Sequence, residues 1–463
     1  MACLKTESVA LPAKPLFVGV NMYLFLFVVM LIALVAALKL ADFDLLSPAP
    51  LMILGLTMSV MFAGIGGLFW NDVPLKWNAV YVVVVGTSAI LVGQLIANCK
   101  NASQIPGELP KFQDSTWKYA ALFALVLIAI VVRVVETSNI ASDMGLSDVS
   151  YAEKMEAVRH GLDAINSSEG LKLGVGFSFV ERQLEKLVLA IGYVSSALVG
   201  YSLVKSDRRS IALSVGTLLL CGIHVLVCGG RGQVVYYVVS AFASFSLFKI
   251  MSGERPKVVL KKLVIDGTIT GAVGIVVFYL SSFLIGRAAG SGLLDYISFY
   301  FGGSVPSLQI ILDNPELISS ASPGVKTFYY LFGLPFKFGL IDEYPSYSLA
   351  WVHPGGNGSN IFTGFARSYF DFGTVGMVTL TALACFAVTC FYGHVKNSGT
   401  LPLVSIFCLM SGYLFDFARE EYVFSRMLSL NGLASIVVIV LVALFMSRSF
   451  ESHHEEAGAV SGY

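Results

Sequence analysis

Charged residues are scarce in this sequence. Asp, Glu, Lys and Arg together make up 13% of the 463 residues, whereas soluble domains carry about 25%. A chain of this length could not cover a water-exposed surface with so few charges, which excludes an ordinary soluble fold. The formal net charge is zero, so no overall field favours nucleic acid or an acidic ligand.

Familiar catalytic and metal-binding motifs are also missing. The sequence has no Walker loop, no GxSxG, no HExxH and no Cys/His spacing typical of a metal site. Asp-x-Asp occurs only as Asp42–Phe43–Asp44, in a short loop whose side of the membrane is ambiguous. The seven cysteines lie mostly within or beside apolar runs, where cysteine behaves as a small hydrophobe. We therefore expect no metal and no tightly bound cofactor.

Apolar sequence is abundant and arrives in blocks. Hydrophobic residues make up 56% of the chain, in blocks of about twenty that match a bilayer core of about 30 Å at 1.5 Å per residue. Hydropathy predicts eleven spans: 18–40, 48–70, 77–97, 117–136, 184–204, 210–229, 231–250, 261–285, 370–393, 399–418 and 429–447. The predicted fold class is an all-α polytopic membrane protein with about 11–12 transmembrane helices, as one integral membrane domain over 1–463. The first block is too long for the apolar part of a signal peptide, so we expect it to be retained.

Basic residues in short loops predict the orientation. The turn 205–209 and the run 255–262 are rich in Lys and Arg and should be cytoplasmic. Span parity then predicts external segments at 137–183 and 286–369, and a cytoplasmic tail at 449–463. Lys5 and Lys14 conflict with this parity, so either one span is miscounted or the first helices break the rule.

The segment 286–369 is predicted to be the catalytic one, because more than eighty residues is long for a mere connection. Its aromatic residues predict amphipathic pieces lying at the membrane interface. No internal repeat is visible, and nothing in the pattern indicates the broken helices of inverted-repeat transporters.

Arginine recurs on the predicted external side, where basic residues are disfavoured. Four separate positions carry one: Arg231, Arg287, Arg367 and Arg419. A planar guanidinium group can donate two parallel hydrogen bonds to the oxygens of one phosphate. These residues therefore predict a bound phosphate or diphosphate. The alternative is that each arginine extends to the interface or forms a local salt bridge, such as Arg419 with Glu420 or Arg367 with Asp371.

A glycine-rich polar loop at 351–364 precedes the span that starts near Arg367. His353 is the only histidine of the segment 286–369, and histidine accepts protons readily near neutral pH. We predict that His353 is a general base. The alternative interpretation is an ordinary surface histidine in a turn.

Four motifs together resemble a known family. They are Gly-Gly-Arg-Gly-Gln at 229–233, Gly-Ser-Asn-Ile-Phe-Thr at 358–363, Tyr-Phe-Asp-Phe-Gly-Thr-Val-Gly at 369–376 and Ala-Arg-Glu-Glu at 418–421. Over about 200–430 the chain resembles the Wzy-type oligosaccharide repeat-unit polymerases, which make O-antigen and capsule in bacterial inner membranes. That family is similar in fold to GT-C-type glycosyltransferases, including the O-antigen ligases.

The resemblance implies a reaction between two undecaprenyl-diphosphate-linked oligosaccharides at the external face of the inner membrane. The arginines would stabilise the leaving diphosphate without a metal, and a chain-length regulator is an expected partner. His353 would be the base, with Asp371 and Glu420 as the other candidates. Sugar-binding roles would fall to four residues of the loop and the sequence just before it: Asn357, Asn360, Trp351 and Tyr347.

Three alternatives share part of this pattern. An O-antigen ligase would use the same donor and transfer the glycan to lipid A core. A transporter of lipid-linked glycans would place charges near the bilayer midplane, whereas the predicted spans are free of charge inside, which argues against it. A structural role in a polysaccharide export complex is the third.

Overall fold

The structure is a computed structural model that describes residues 17–68, 70, 73–100, 109–110, 112, 115–166, 176–284, 292–318, 323–342, 345, 351–354 and 358–447. Within them the chain forms sixteen α-helices: α1 (Phe17–Leu40), α2 (Pro48–Gly66), α3 (Trp77–Lys100), α4 (Thr116–Asp143), α5 (Tyr151–Asn166), α6 (Phe179–Lys205), α7 (Arg208–Val227), α8 (Gly232–Met251), α9 (Pro256–Leu284), α10 (Leu293–Gly302), α11 (Ser304–Asp313), α12 (Val325–Phe328), α13 (Gly333–Lys337), α14 (Ala366–Ser398), α15 (Leu401–Phe415) and α16 (Leu430–Ser447). The same residues contain no β-strand, only an isolated bridge between Val352 and Ser359. The all-α prediction is confirmed.

Eleven of the described helices are long and apolar enough to cross a membrane: α1 to α4, α6 to α9 and α14 to α16. They correspond one to one with the predicted spans, so the protein is a multi-pass membrane protein. α2, α6 and α15 are largely buried in the bundle, whereas α1, α9 and α16 are mostly exposed. α4 continues to Asp143 and α6 begins at Phe179, so both helices project into the segment 137–183.

The two ends of the bundle carry different cations. At one end, which we call the lysine face, the α1–α2 loop meets the basic ends of α9 and α14. Asp44 pairs with Lys396 at 3.6 Å, and the Lys257 ammonium lies 4.5 Å from the centre of the Phe43 ring. α1 therefore ends at the face that holds the predicted cytoplasmic loops, and it begins at the opposite end. This agrees with the parity of eleven spans.

A helical hairpin, α10–α11, follows α9 and has both of its outer ends fixed beside the α2–α3 connection. The Trp70 indole N–H donates to Asp295 of α10 at 2.8 Å. Lys76 pairs with Asp313 at the end of α11, also at 2.8 Å. Both helices thus start or finish at the same end of the bundle, opposite the lysine face.

The turn of this hairpin lies inside the bundle. Ser304 Oγ is 3.1 Å from Ser59 Oγ of α2, and Ser59 precedes the end of α2 at Gly66 by seven residues, or about 10 Å of helix. Gly302 permits this approach, because a Cβ there would overlap the backbone of Ala63. The hairpin enters the bundle and returns, so the aromatic residues of α10, which the sequence predicts to form an amphipathic piece at the membrane interface, pack against α2 and α9.

α14 is interrupted about two turns after its start. Gly373 has φ 64° and ψ −164° within the helix, a backbone conformation that is essentially restricted to glycine. The residues just before this break, including Arg367 and Asp371, therefore belong to a short helical segment set off from the rest of α14.

Candidate functional site

Arg231 lies in an aromatic box at the end of the bundle opposite the lysine face. Gly229, with φ 74°, ends α7, and Arg231 immediately precedes α8. The Arg231 side chain is buried, with 3% of the residue exposed. Its guanidinium carbon lies 5.0 Å from the ring centre of Phe278 and 5.4 Å from those of Tyr296 and Tyr300. Its Nη1 donates a hydrogen bond to the Tyr296 hydroxyl.

Arg419 shares one of these rings. It follows α15 and the short turn Asp416–Ala418, and its guanidinium carbon lies 4.8 Å from the ring centre of Tyr300. Tyr300 of the hairpin therefore contacts both Arg231 and Arg419. Arg419 Nη1 lies 3.5 Å from Asp416 Oδ1. Within the described part of the chain, Arg419 Nε is buried without a hydrogen-bond partner.

Asp416 is buried between α8 and the α15–α16 turn. Its Oδ2 accepts hydrogen bonds from the Tyr236 hydroxyl and, at 3.0 Å, from the Tyr422 hydroxyl. Burial first, and the charge of Asp416 next, raise the pKa of Tyr422 well above 10. The Tyr422 phenol thus stays protonated and donates to the Asp416 carboxylate.

A small cavity lies beside this group. Its volume is about 20 Å³, and its polar lining comes from Ser59, Tyr236, Tyr300, Asp416 and Arg419. Such a volume holds about one water molecule. A diphosphate is larger than this cavity, so an anion bound to Arg419 must displace side chains such as Tyr300 or occupy space outside it.

Glu420 follows Arg419 on the α15–α16 turn and lies between two further arginines. Glu420 pairs with Arg367 Nη2 and, at 3.6 Å, with Arg426 Nη2. Arg367 Nη1 also donates to the backbone oxygen of Lys326 at 3.2 Å. About 20% of the Glu420 side chain is exposed, so its carboxylate remains accessible. We call Arg231, Arg367, Arg419 and Arg426 the arginine cluster, and their end of the bundle the arginine face.

Asp371 fixes the α12 segment onto the start of α14. Its Oδ2 accepts from the backbone N–H of Thr327 at 2.7 Å and from the Thr327 hydroxyl at 2.8 Å. Lys326 Nζ lies 3.4 Å from Oδ1, and the Asp371 side chain is completely buried. The ion pairs thus differ from the expected local ones: Arg419 pairs with Asp416, and Arg367 pairs with Glu420.

Glu421 shapes the α15–α16 turn that carries Arg419 and Glu420. Its carboxylate accepts backbone N–H groups of Val423, Phe424 and Ser425 at 2.6–3.1 Å. Burial raises the pKa of Glu421 to about 7. These hydrogen bonds connect the Glu421 side chain to the backbone of the three residues 423–425.

His353 lies beside an isolated antiparallel bridge, and its side chain is exposed. The backbones of Val352 and Ser359 exchange hydrogen bonds of 2.7 and 2.8 Å, and Trp351, His353 and Asn360 are exposed. In the ranges that the structure describes, no hydrogen bond or ion pair joins His353 to the arginine cluster. The loop nevertheless ends beside the cluster, because Gly364 N donates to the Phe417 carbonyl at 2.9 Å.

Three predicted site residues, Arg287, Asn357 and Tyr347, lie outside the described residues. Sequence reasoning missed Asp416 and the tyrosines around it. Asp416 could have been singled out from the sequence, because an ionisable residue at the end of an apolar block is energetically unfavourable unless it has partners. The tyrosines could not have been singled out in this way, because aromatic residues are common in all spans.

The expectation that the spans are free of charge inside is also wrong. Arg133 of α4 lies within a predicted span, and it pairs with Glu181 of α6 at 2.5 Å in a largely buried position. Its guanidinium carbon lies 3.6 Å from the ring centre of Phe177. A buried pair of this kind joins α4 to α6 and lies outside the arginine cluster.

The described site has many cationic side chains and no clear metal-binding group. Five cations (Arg231, Lys326, Arg367, Arg419, Arg426) accompany four carboxyl groups (Asp371, Asp416, Glu420, Glu421). Among the described residues, no group of three or more His, Cys, Asp or Glu side chains could hold a metal ion. The arrangement can bind an anion and stabilise negative charge that develops on it.

Comparison with known proteins identified no relative. No family model, no curated protein and no solved structure significantly matches the chain.

Proposed function

We propose that the protein is a metal-independent glycosyltransferase that joins undecaprenyl-diphosphate-linked oligosaccharides, as a Wzy-type repeat-unit polymerase does. One observation carries the proposal. Arg231, Arg367 and Arg419 come from three distant parts of the chain and are brought together, through Tyr300 and Glu420, at one end of a membrane bundle. This arrangement suits the diphosphate of a membrane-anchored lipid, whose headgroup lies at that depth.

The reaction places the largest new charge on the leaving group. The oxygen of an acceptor hydroxyl forms a bond to the anomeric carbon of the donor glycan, and the bond from that carbon to the diphosphate oxygen breaks. Undecaprenyl diphosphate leaves with the electron pair, and the hydroxyl proton passes to a base. Fixed guanidinium groups stabilise the leaving diphosphate more strongly in the transition state than in the substrate.

Glu420 is the carboxylate best suited to orient the acceptor or take its proton. It is partly exposed and lies among the arginines, whereas the oxygens of Asp371 are buried and occupied by Thr327 and Lys326. His353 remains the alternative base. Trp351 and Asn360 are exposed beside the same backbone bridge as His353, which leaves an indole face and an amide available to sugars.

The proposal includes an orientation and a partner. In a bacterial inner membrane, the arginine face would lie on the side away from the cytoplasm. The lysine face would lie on the cytoplasmic side, in keeping with the positive-inside rule. A chain-length regulator would act on the product at the arginine face.

The decisive experiment uses purified protein in proteoliposomes with defined lipid-linked repeat units. We expect glycans of two, three and more repeats on the lipid, with release of undecaprenyl diphosphate. In cells without the protein, the surface polysaccharide should collapse to a single-repeat band. Transfer of glycan to lipid A core without polymer would instead identify a ligase and contradict the proposal.

A second candidate is a transporter of lipid-linked glycans. The inserted α10–α11 hairpin and the break at Gly373 favour it, because interrupted helices and re-entrant segments recur in transporters. Proteoliposomes also test this alternative: movement of a lipid-linked glycan between leaflets without any new glycosidic bond would support it.

A further inference from the structure

Asp416 lies at the end of α15, where the chain leaves the apolar core, and 6% of the residue is exposed. A carboxylate in such surroundings is unfavourable unless its oxygens are satisfied. One oxygen accepts two phenol hydrogen bonds, from Tyr236 and Tyr422, and the other faces Arg419 at 3.5 Å. The two phenols hold the carboxylate in a fixed orientation relative to the guanidinium.

Arg419 is thereby held from two directions. Asp416 lies beside Nη1, and the ring of Tyr300 covers the guanidinium at 4.8 Å. The contact with Asp416 uses one nitrogen at moderate distance, in contrast to a paired contact that would occupy both terminal nitrogens. Other N–H groups of Arg419 are thus left for a ligand. Nε is one of them, since it is buried without a partner in the described part of the chain.

We propose that Asp416 is a positioning residue for Arg419. It holds the guanidinium plane on Tyr300 and directs the remaining N–H groups to a diphosphate oxygen of the lipid-linked donor. The nature of that ligand rests on the proposed function. Asp416 itself does not touch the substrate, and its effect passes through Arg419.

A double-mutant cycle tests this role. Asp416→Asn keeps the size of the side chain but removes the charge that orients Arg419. We expect the rate of polymer formation to fall about 10- to 100-fold, as for small displacements of an aligned group, while the KM for the lipid-linked donor changes little. In an Arg419→Ala background, Asp416→Asn should lower the rate by less than about threefold, because the residue it acts through is absent. Equal losses in both backgrounds would overturn the proposal.

A matched control comes from the lysine face. Asp44 is also buried, accepts from a tyrosine and pairs with a cation at 3.6 Å, but it lies at the other end of the bundle. Asp44→Asn should leave the rate and the KM within about twofold of the unmodified protein. Tyr422→Phe removes one phenol donor from Asp416 and keeps the ring, so it should lower the rate about three- to tenfold. A Tyr422→Phe protein with an unchanged rate contradicts the proposal even if Asp416→Asn fails to fold.

A binding measurement separates this inference from the proposed function. Inorganic pyrophosphate is the probe, because it carries the charge of the leaving group and not that of the esterified donor, and the readout is the shift of the thermal unfolding midpoint of the purified protein. We expect Arg419→Ala and Asp416→Asn each to reduce the shift, and the double variant to reduce it no further. If pyrophosphate binds in this pattern but no polymer forms from lipid-linked repeats, the positioning role stands and the polymerase proposal falls. If Asp416→Asn binds pyrophosphate as the unmodified protein does, the positioning role falls.

Discussion

The two ends of the bundle use similar side chains in different ways. At the lysine face, Asp44 accepts from Leu46 N at 3.2 Å and Tyr392 at 2.8 Å and pairs with Lys396. Nearby Gln94 accepts from two hydroxyl groups and one backbone N–H, and donates to Asn98. These side-chain oxygens all have protein partners. The network joins the α1–α2 loop to α3 and α14.

At the arginine face, the charge of Arg419 is compensated less completely. Asp416 engages Arg419 through a single contact, and Arg419 Nε has no partner among the described residues. Arg231 is surrounded by aromatic rings. Rings accommodate a cation without neutralising its charge. The comparison teaches that a carboxylate whose oxygens all have partners fixes helices together, whereas the single contact of Asp416 leaves the Nε–H group of Arg419 without an acceptor among the described residues.

The largest expected effect tests the arginine face directly. Arg231→Ala and Arg419→Ala should each lower polymer formation by about 10³- to 10⁵-fold, the range for arginines that stabilise a departing phosphate group. The lysine variants should recover little, because an ammonium lacks the planar fork. Initial rates with purified lipid-linked repeats provide the measurement. Lys396→Ala at the lysine face is the control and should retain activity, and comparable losses there would remove the distinction between the faces.

The next effect concerns the base. Glu420→Gln should reduce the rate by about 10²- to 10⁴-fold, as expected for loss of a general base, with pyrophosphate binding retained. Asp371→Asn should mainly reduce the yield of folded protein, because Asp371 fixes Thr327 and Lys326. His353→Ala, measured beside them, should stay within about tenfold of the unmodified rate. A dead His353→Ala enzyme with an active Glu420→Gln enzyme would assign the base to His353.

The lysine face should show its effect in stability and not in rate. Asp44→Asn weakens hydrogen bonds to a buried network, so the free energy of unfolding should fall by about 1–3 kcal/mol. Thermal unfolding in detergent and the rate per folded molecule are to be measured on the same sample. A loss of rate without a loss of stability would show that the lysine face also takes part in the reaction.

Glu421 is expected to make the stability of the protein depend on pH. Its pKa is about 7 in the folded protein, against an ordinary value of 4.5, so the folded state holds the proton more tightly. Stability from this group is therefore complete below about pH 4.5 and is lost as the pH rises through about 7. The decline should be of the order of 1–3 kcal/mol. Glu421→Gln should flatten this part of the stability profile, and an unchanged slope would contradict the assignment.

Chelation should have the smallest effect. We expect polymer formation to continue at an unchanged rate in EDTA, because guanidinium groups would supply the charge stabilisation that Mg²⁺ supplies elsewhere. A strict requirement for added Mg²⁺ or Mn²⁺ would mean that the arginine cluster is not sufficient.

Much of the fold could be predicted from the sequence, because spans obey a local rule. A run of about twenty apolar residues must be helical in a bilayer, where each backbone polar group needs an internal partner. The α10–α11 hairpin could not be predicted in this way. Each of its helices has ten residues, too short to span, and its insertion depends on Gly302 meeting Ala63 of a distant helix.

The same distinction between local sequence and tertiary packing applies to the candidate site. Arg231, Arg367 and Arg419 were candidates from the sequence alone, since basic residues on the predicted external side carry an energetic penalty. Their partners did not follow from the sequence. Arg367 meets Glu420 across 53 residues, and Tyr236 meets Asp416 across 180. The amino-acid sequence thus determined which residues form the membrane-spanning helices and which cations lie near the ends of those helices. Only the tertiary structure decided which carboxylates and rings hold those cations, because such contacts depend on how distant helices pack.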